Sequence, residues 1–211
     1  MTIRTLLGKL LRSSVLLLFA IALSSCDAIA FSPEQIAMRQ ALNSPPQNGI
    51  VDAGSVKVLQ TLEFNGMTFL LVSFKQQVEN LQQDCLFVYV ARRSAIGAWS
   101  PTSGGGGCSG QVGGGEPEPP PSISHVGVNM SSGNGGALDP GYTSVRGLTL
   151  TDEIIKVRVN WLDSTTQEVD VINHSFLAVR AGQLEMTNIE GLNQNGEVVY
   201  DHHNPPAAPG K

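Results

Sequence analysis

The chain has 211 residues, with 18 Asp and Glu against 13 Lys and Arg and a formal net charge of −5. Binding to nucleic acid rests on neutralising phosphates with Lys and Arg, so this balance argues against nucleic acid, and against anionic lipid headgroups, as partners. Aromatic residues make up 6% while Gly and Pro number 23 and 12, so much of the chain must be turn, loop or linker, and the rest suffices for one ordinary domain or two small ones sharing a core.

Arg4, Lys9 and Arg12 open the chain without an acid, the apolar run from Val15 to Leu23 follows, and small residues close it. That is the basic, apolar, small layout of an export signal. The run is too short to cross a membrane, which takes about 20 apolar residues. Leu23, Ser24, Ser25 and Cys26 resemble the lipobox of bacterial lipoproteins, placed at the correct end of such a signal. The resemblance implies cleavage before Cys26, transfer of diacylglycerol to its sulfur and acylation of its new amino group. Residues 1–25 are then a lipoprotein signal peptide, and two or three acyl chains anchor stably where one would not. The alternative is an ordinary signal cut at small residues, with Cys26 left as a thiol or removed.

Without residues 1–25 the chain keeps 10 Lys and Arg against 18 Asp and Glu, a formal charge of 10 minus 18, or −8. Setting Cys26 aside leaves Cys85 and Cys108, an even pair in an oxidising compartment. A bridge between them closes a loop of about 24 residues, valued at roughly 3 kcal/mol by the chain-entropy model. The other readings are a buried Cys85 with a free Cys108, or a metal site, for which two cysteines without a neighbouring histidine are poor ligands.

Residues 26–54 are read as anchor, short helix and linker. Ser32 is placed to cap a helix, Pro33 suits its first position, Gln35 completes a capping box, and "NSPPQNG" ends it. Ile36 and Leu42 make no broad apolar face, which predicts a spacer of one or two turns. Residues 55–200 are expected to form the β domain. "VKVLQTLEF" alternates, with Val56, Val58, Leu62 and Phe64 on one side and Lys57, Thr61 and Glu63 on the other. Asn65-Gly66 then predicts a hairpin into "MTFLLVSFK". "DCLFVYVARR" reads as a central strand and "IGAWS" as a short one. Between 100 and 122, glycine clusters and a proline run predict a surface loop or linker. It is no phosphate cradle: no Lys-Ser/Thr follows the glycines, and Glu116 and Glu118 would repel phosphate.

In the C-terminal third, Ile155, Val157, Val159 and Trp161 share one face of "EIIKVRVNW", and "SVRGLTL", "EVDVI", "SFLAVRA", "LEMTNIEGL" and "EVVY" complete a meander of about six strands. Both halves together give about ten, the spacing of a mainly β, antiparallel β-sandwich, built as one unit or as two similar halves. Residues 145–200 resemble a segment that recurs in exported bacterial proteins: a strand ending in Trp, a polar turn, a returning strand, a Ser-Phe-Leu element and a strand leading through a glycine turn to Val-Val-Tyr. The resemblance implies a β-sandwich-like module without assigned chemistry, and it transfers no active site. Residues 201–211 are expected to be a disordered tail.

Groups for chemistry are sparse. His125, His174, His202 and His203 are accompanied by no hydrolase or zinc motif. Asp201, His202 and His203 are adjacent, and neighbours on an extended strand point to opposite faces, so no metal site is expected there. Asp152, Glu153 and Asp163 would hold calcium only if they gathered at one end of the sandwich; turn aspartates bonding their own backbone are the plainer reading. An aromatic ridge of Trp99, Trp161, Tyr89 and Tyr142 would suit a glycan, but Trp161 is in phase with core positions and only Trp99, beside Ser100 and Pro101, is placed for exposure. No catalytic residue and no cofactor are expected. The reading is a membrane-anchored envelope lipoprotein with a non-enzymatic binding or scaffolding β-sandwich, whose expected partners are the membrane through Cys26 and an envelope protein; a small extracytoplasmic hydrolase and an accessory subunit of a membrane complex are the alternatives.

Overall fold

The computed structural model describes residues 31–95, 97–110, 123–131 and 141–203. Cys26 and the rest of the signal segment, the stretch 111–122 and the tail beyond 203 lie outside the described residues. Helix α1, Pro33–Asn43, starts at the expected box: Gln35 N–H donates to Ser32 Oγ at 3.3 Å and Ser32 N–H donates to Gln35 Oε1 at 3.0 Å. The helix is more than a spacer. Ile36, Ala37 and Ala41 are buried, and the two alanines, one turn apart, let the helix lie close against a sheet without a broad apolar face.

Among the described residues, twelve strands form three antiparallel sheets. The first sheet contains β1 (Ile50–Val51), β2 (Lys57–Phe64), β3 (Met67–Val78), β4 (Leu81–Arg93) and β5 (Trp99–Gly110). Its order is β1-β3-β4-β5, with β2 also pairing β3. The β2–β3 hairpin turns on Asn65 and Gly66 with φ of 49° and 71°, the left-handed pair that an Asn-Gly hairpin turn needs. Val56, Val58, Leu62 and Phe64 do not share one face as the alternation predicts. A register shift between Val58 and Gln60 reverses the phase, so Val58 packs on the helix side while Leu59, Leu62 and Phe64 pack on the other.

Strand β5 corrects the expectation of a loop from residue 100. "WSPTSGGGGCSG" is a strand paired along β4, from Arg93↔Trp99 to Gln83↔Gly110. Glycine supplies no face of its own, but here it makes room for the neighbour's aromatics: a Cβ on Gly106 would lie 2.1 Å from Phe87 Cγ, and one on Gly104 would lie 3.2 Å from Tyr89 Cδ1. The rings of β4 cover the bare backbone of β5. Cys85 and Cys108 stand directly opposite in this pairing and are joined by a disulfide.

The second sheet, β10-β7-β6, comprises β6 (Ile123–Ser131), β7 (Tyr142–Thr149) and β10 (Ser175–Ala181). The third, β12-β11-β8-β9, comprises β8 (Lys156–Trp161), β9 (Thr166–Asp170), β11 (Met186–Leu192) and β12 (Val198–His203). The layers stack as helix, first sheet, second sheet, third sheet, with a core in each gap. Ala37, Ala41, Leu70, Val72 and Phe74 fill the first gap. Phe69, Leu71, Leu86, Val88, Tyr142 and Leu177 fill the second, and Val145, Val157, Val159, Trp161, Phe176 and Ile189 the third. The fold is thus mainly β and sandwich-like, and its middle sheet is covered on both faces, which explains the near-continuous burial of β7 and β10.

Two details of the third sheet depart from expectation. Ile155 does not continue the buried face of Val157, Val159 and Trp161: it is 42% exposed, and Ile154 is buried at 2% instead. Ile155 N–H donates to Leu192 O and its carbonyl accepts from Val171 N–H, so its backbone ties both neighbouring strands while Ile154 packs against Gly191. Strand β12 also runs into the expected tail, because Asp201, His202 and His203 pair with Glu190, Ile189 and Asn188. Among the described residues no helix is long and apolar enough to cross a membrane.

Candidate functional site

Trp99, Trp161, Tyr89 and Tyr142 form no ridge, in line with the placement of Trp161 in phase with core positions. Tyr89 belongs to the helix-side core, Tyr142 to the middle core and Trp161 to the outer core. Burial pushes the Tyr89 hydroxyl up to about 12. Only Trp99 reaches the surface, half-buried at the start of β5.

The carboxylates are likewise apart. Asp152 and Glu153 precede β8 and Asp163 follows it, so the length of that strand, about 3.3 Å per residue, separates them. Asp163 is committed to its own turn, with Thr165 N–H at 3.1 Å and Arg180 Nη2 donating to Oδ2 at 2.9 Å. The Thr165 hydroxyl bond, helped by the backbone bond and Arg180, holds its carboxyl below the usual range. His174 Nε2 lies 3.5 Å from Asp152 Oδ1, with both side chains mostly exposed. Asp152 and Glu153 border a shallow depression of about 390 Å³ with Asn193, Gln194 and Asn195. Asn193 Oδ1 is already engaged, accepting from Asn195 N–H at 2.9 Å and Glu197 N–H at 3.0 Å. Among the described residues no group of three or more His, Cys, Asp or Glu comes together to hold a metal ion. The side chains of His125, His202 and His203 lie outside the described ones.

Trp99 borders a second depression, a groove at the end of the first sheet. The groove, about 370 Å³, is lined by Glu63 to Thr68, Arg93 and Trp99. It occupies the end of the first sheet where the β2–β3 turn meets the β4–β5 connection. Register explains its composition: Glu63 faces Thr68, Thr68 faces Ala91 and Arg93 faces Trp99. Arg93 Cζ is 5.9 Å from the centre of the Trp99 ring, within reach of a cation–π contact. Arg93 Nε donates to Gly97 O at 3.3 Å, and Ser94 N–H donates to Ala98 O at 2.8 Å. These bonds fix the short connection that delivers Trp99. Thr68 is only 2% exposed, and its Oγ1 is buried without a hydrogen-bond partner.

Sequence reading found Trp99 and missed the others, because Glu63, Thr68 and Arg93 are ordinary strand residues until register places them side by side. A second buried polar group was also missed. Arg146, 5% exposed on β7, donates its Nε–H to Leu86 O at 3.1 Å across the middle core, and its Nη1 has no partner. Gly127, opposite in β6, leaves the space its guanidinium fills: a Cβ there would lie 2.5 Å from Nη2. Burial pushes the Arg146 pKa down.

No family model matches the chain, no curated protein matches it, and no solved structure matches its fold.

Proposed function

We propose that this chain is a lipid-anchored protein of a bacterial cell envelope, held to a membrane through Cys26, whose β-sandwich binds or scaffolds rather than catalyses. The observation that carries the reading is the closure of Cys85 onto Cys108. A disulfide of this kind forms and persists outside the reducing cytosol, and it accounts for two of the three cysteines. The third stands behind Leu23, Ser24 and Ser25 at the end of an apolar run that follows Arg4, Lys9 and Arg12. A chain that is acidic after this point gains nothing from anionic headgroups, whereas the two or three acyl chains that the lipobox resemblance implies at Cys26 would anchor it stably.

The test is Cys26→Ser in the native host. Membrane association and incorporation of a fatty-acid label should be lost, with uncleaved precursor accumulating. Normal processing and an unchanged membrane fraction would refute the anchor.

A further inference from the structure

We infer that the groove beside Trp99 is a binding subsite for a neutral saccharide of one or two rings. The inference deepens the proposed binding role by naming a ligand class, and it rests on that reading only for where the ligand would be met. A groove of about 370 Å³ is in the size range of small-ligand sites. Its lining combines three kinds of group that a sugar ring uses together. The half-buried indole of Trp99 offers an apolar face to ring C–H groups. Glu63 supplies acceptors and Arg93 supplies donors for hydroxyls arrayed around the ring.

Charge narrows the class further. Glu63 and Arg93 are the charged residues of the lining and carry opposite signs, which suits a neutral polyol better than a phosphate or a strongly cationic peptide. Thr68 also lines the groove and is 2% exposed, so it contributes packed wall. The walls are also held before any ligand arrives. Asn65 and Gly66 fix the turn on one side, and the Arg93–Gly97 and Ser94–Ala98 bonds fix the other, so little ordering entropy is left to lose on binding.

Titration of the detergent-solubilised full chain with N,N′-diacetylchitobiose, cellobiose and maltose, followed by isothermal calorimetry and saturation-transfer NMR, tests the assignment. Saturable binding of at least one disaccharide is expected, with a Kd of about 1 mM or tighter. Trp99→Ala should weaken it by roughly tenfold or more and Glu63→Gln by roughly threefold or more, with thermal unfolding unchanged in Glu63→Gln. Trp99→Phe, which keeps an aromatic face, should retain most of the affinity. Absence of saturable binding to all three sugars, or binding indifferent to both Trp99→Ala and Glu63→Gln, would overturn the inference. Neither result bears on Cys26, whose test reads membrane attachment alone, so the two readings fail separately.

Discussion

The covering of a glycine strand by aromatic rings can be tested at two adjacent residues. In Gly106→Ala the new methyl would lie 2.1 Å from Phe87 Cγ and 2.3 and 2.5 Å from its Cδ atoms. The ring has little freedom to yield, since its centroid is 5.5 Å from that of Phe74 and 6.0 Å from that of Tyr89. Forcing a methyl group into such packing costs typically about 1–3 kcal/mol. In a domain of this size that lowers Tm by roughly 2–12 °C. Gly107→Ala is the control, because nothing lies within 4 Å of its Cβ position. Its stability should be unchanged or raised by up to about 1 kcal/mol through a stiffer unfolded chain. Thermal and urea unfolding of the two variants should therefore differ in sign or by a wide margin. Adding Phe87→Leu to Gly106→Ala should recover part of the loss. Equal stability of Gly106→Ala and Gly107→Ala would refute the account of β5.

Two further outcomes follow from the same face of the first sheet. Replacing Cys85 and Cys108 together with alanine should remove about 3 kcal/mol, and reductant should shift the urea midpoint of the native protein but leave that of the variant unmoved. Tyr89, one of three tyrosines, should ionise near 12 in an ultraviolet titration where an ordinary tyrosine ionises near 10, and Tyr89→Phe should abolish that step. The raised value means that the unfolded chain loses its proton first, so stability should fall as pH rises from about 10 towards about 12. A fall of the same size in Tyr89→Phe would assign it to another group.

The features legible in the sequence were those set by local chemistry. The Ser32–Gln35 box, the Asn65-Gly66 turn and the alternation of Val157, Val159 and Trp161 all appear where expected. The bridge between Cys85 and Cys108 was one of the readings left once Cys26 was set aside, and the structure closes it. What was hidden depends on neighbours distant in the chain. Residues 104–107 have no side chains and reveal themselves as a strand only when Phe87 and Tyr89 lie alongside. The bulge after Val58 and the exchange of Ile154 for Ile155 each shift a pattern by one position, which a period-two reading cannot detect. Trp99 could be singled out as an aromatic beside Ser100 and Pro101, but its companions in the groove come from three other strands and the β2–β3 turn.

Helix α1 packs on the side of the first sheet that carries the cysteines, sharing its core with Cys85 and Cys108. Cys85 is only 2% exposed. Once the helix has settled there, an external oxidant has little access to that thiol, but Cys108 is only partly buried, so a mixed disulfide at Cys108 can resolve onto Cys85 by internal exchange. Chains are made from the N-terminus, and domains generally begin to fold in that order. The helix is synthesised before every strand it touches, so it can take its final place only after β2 to β5 have been made.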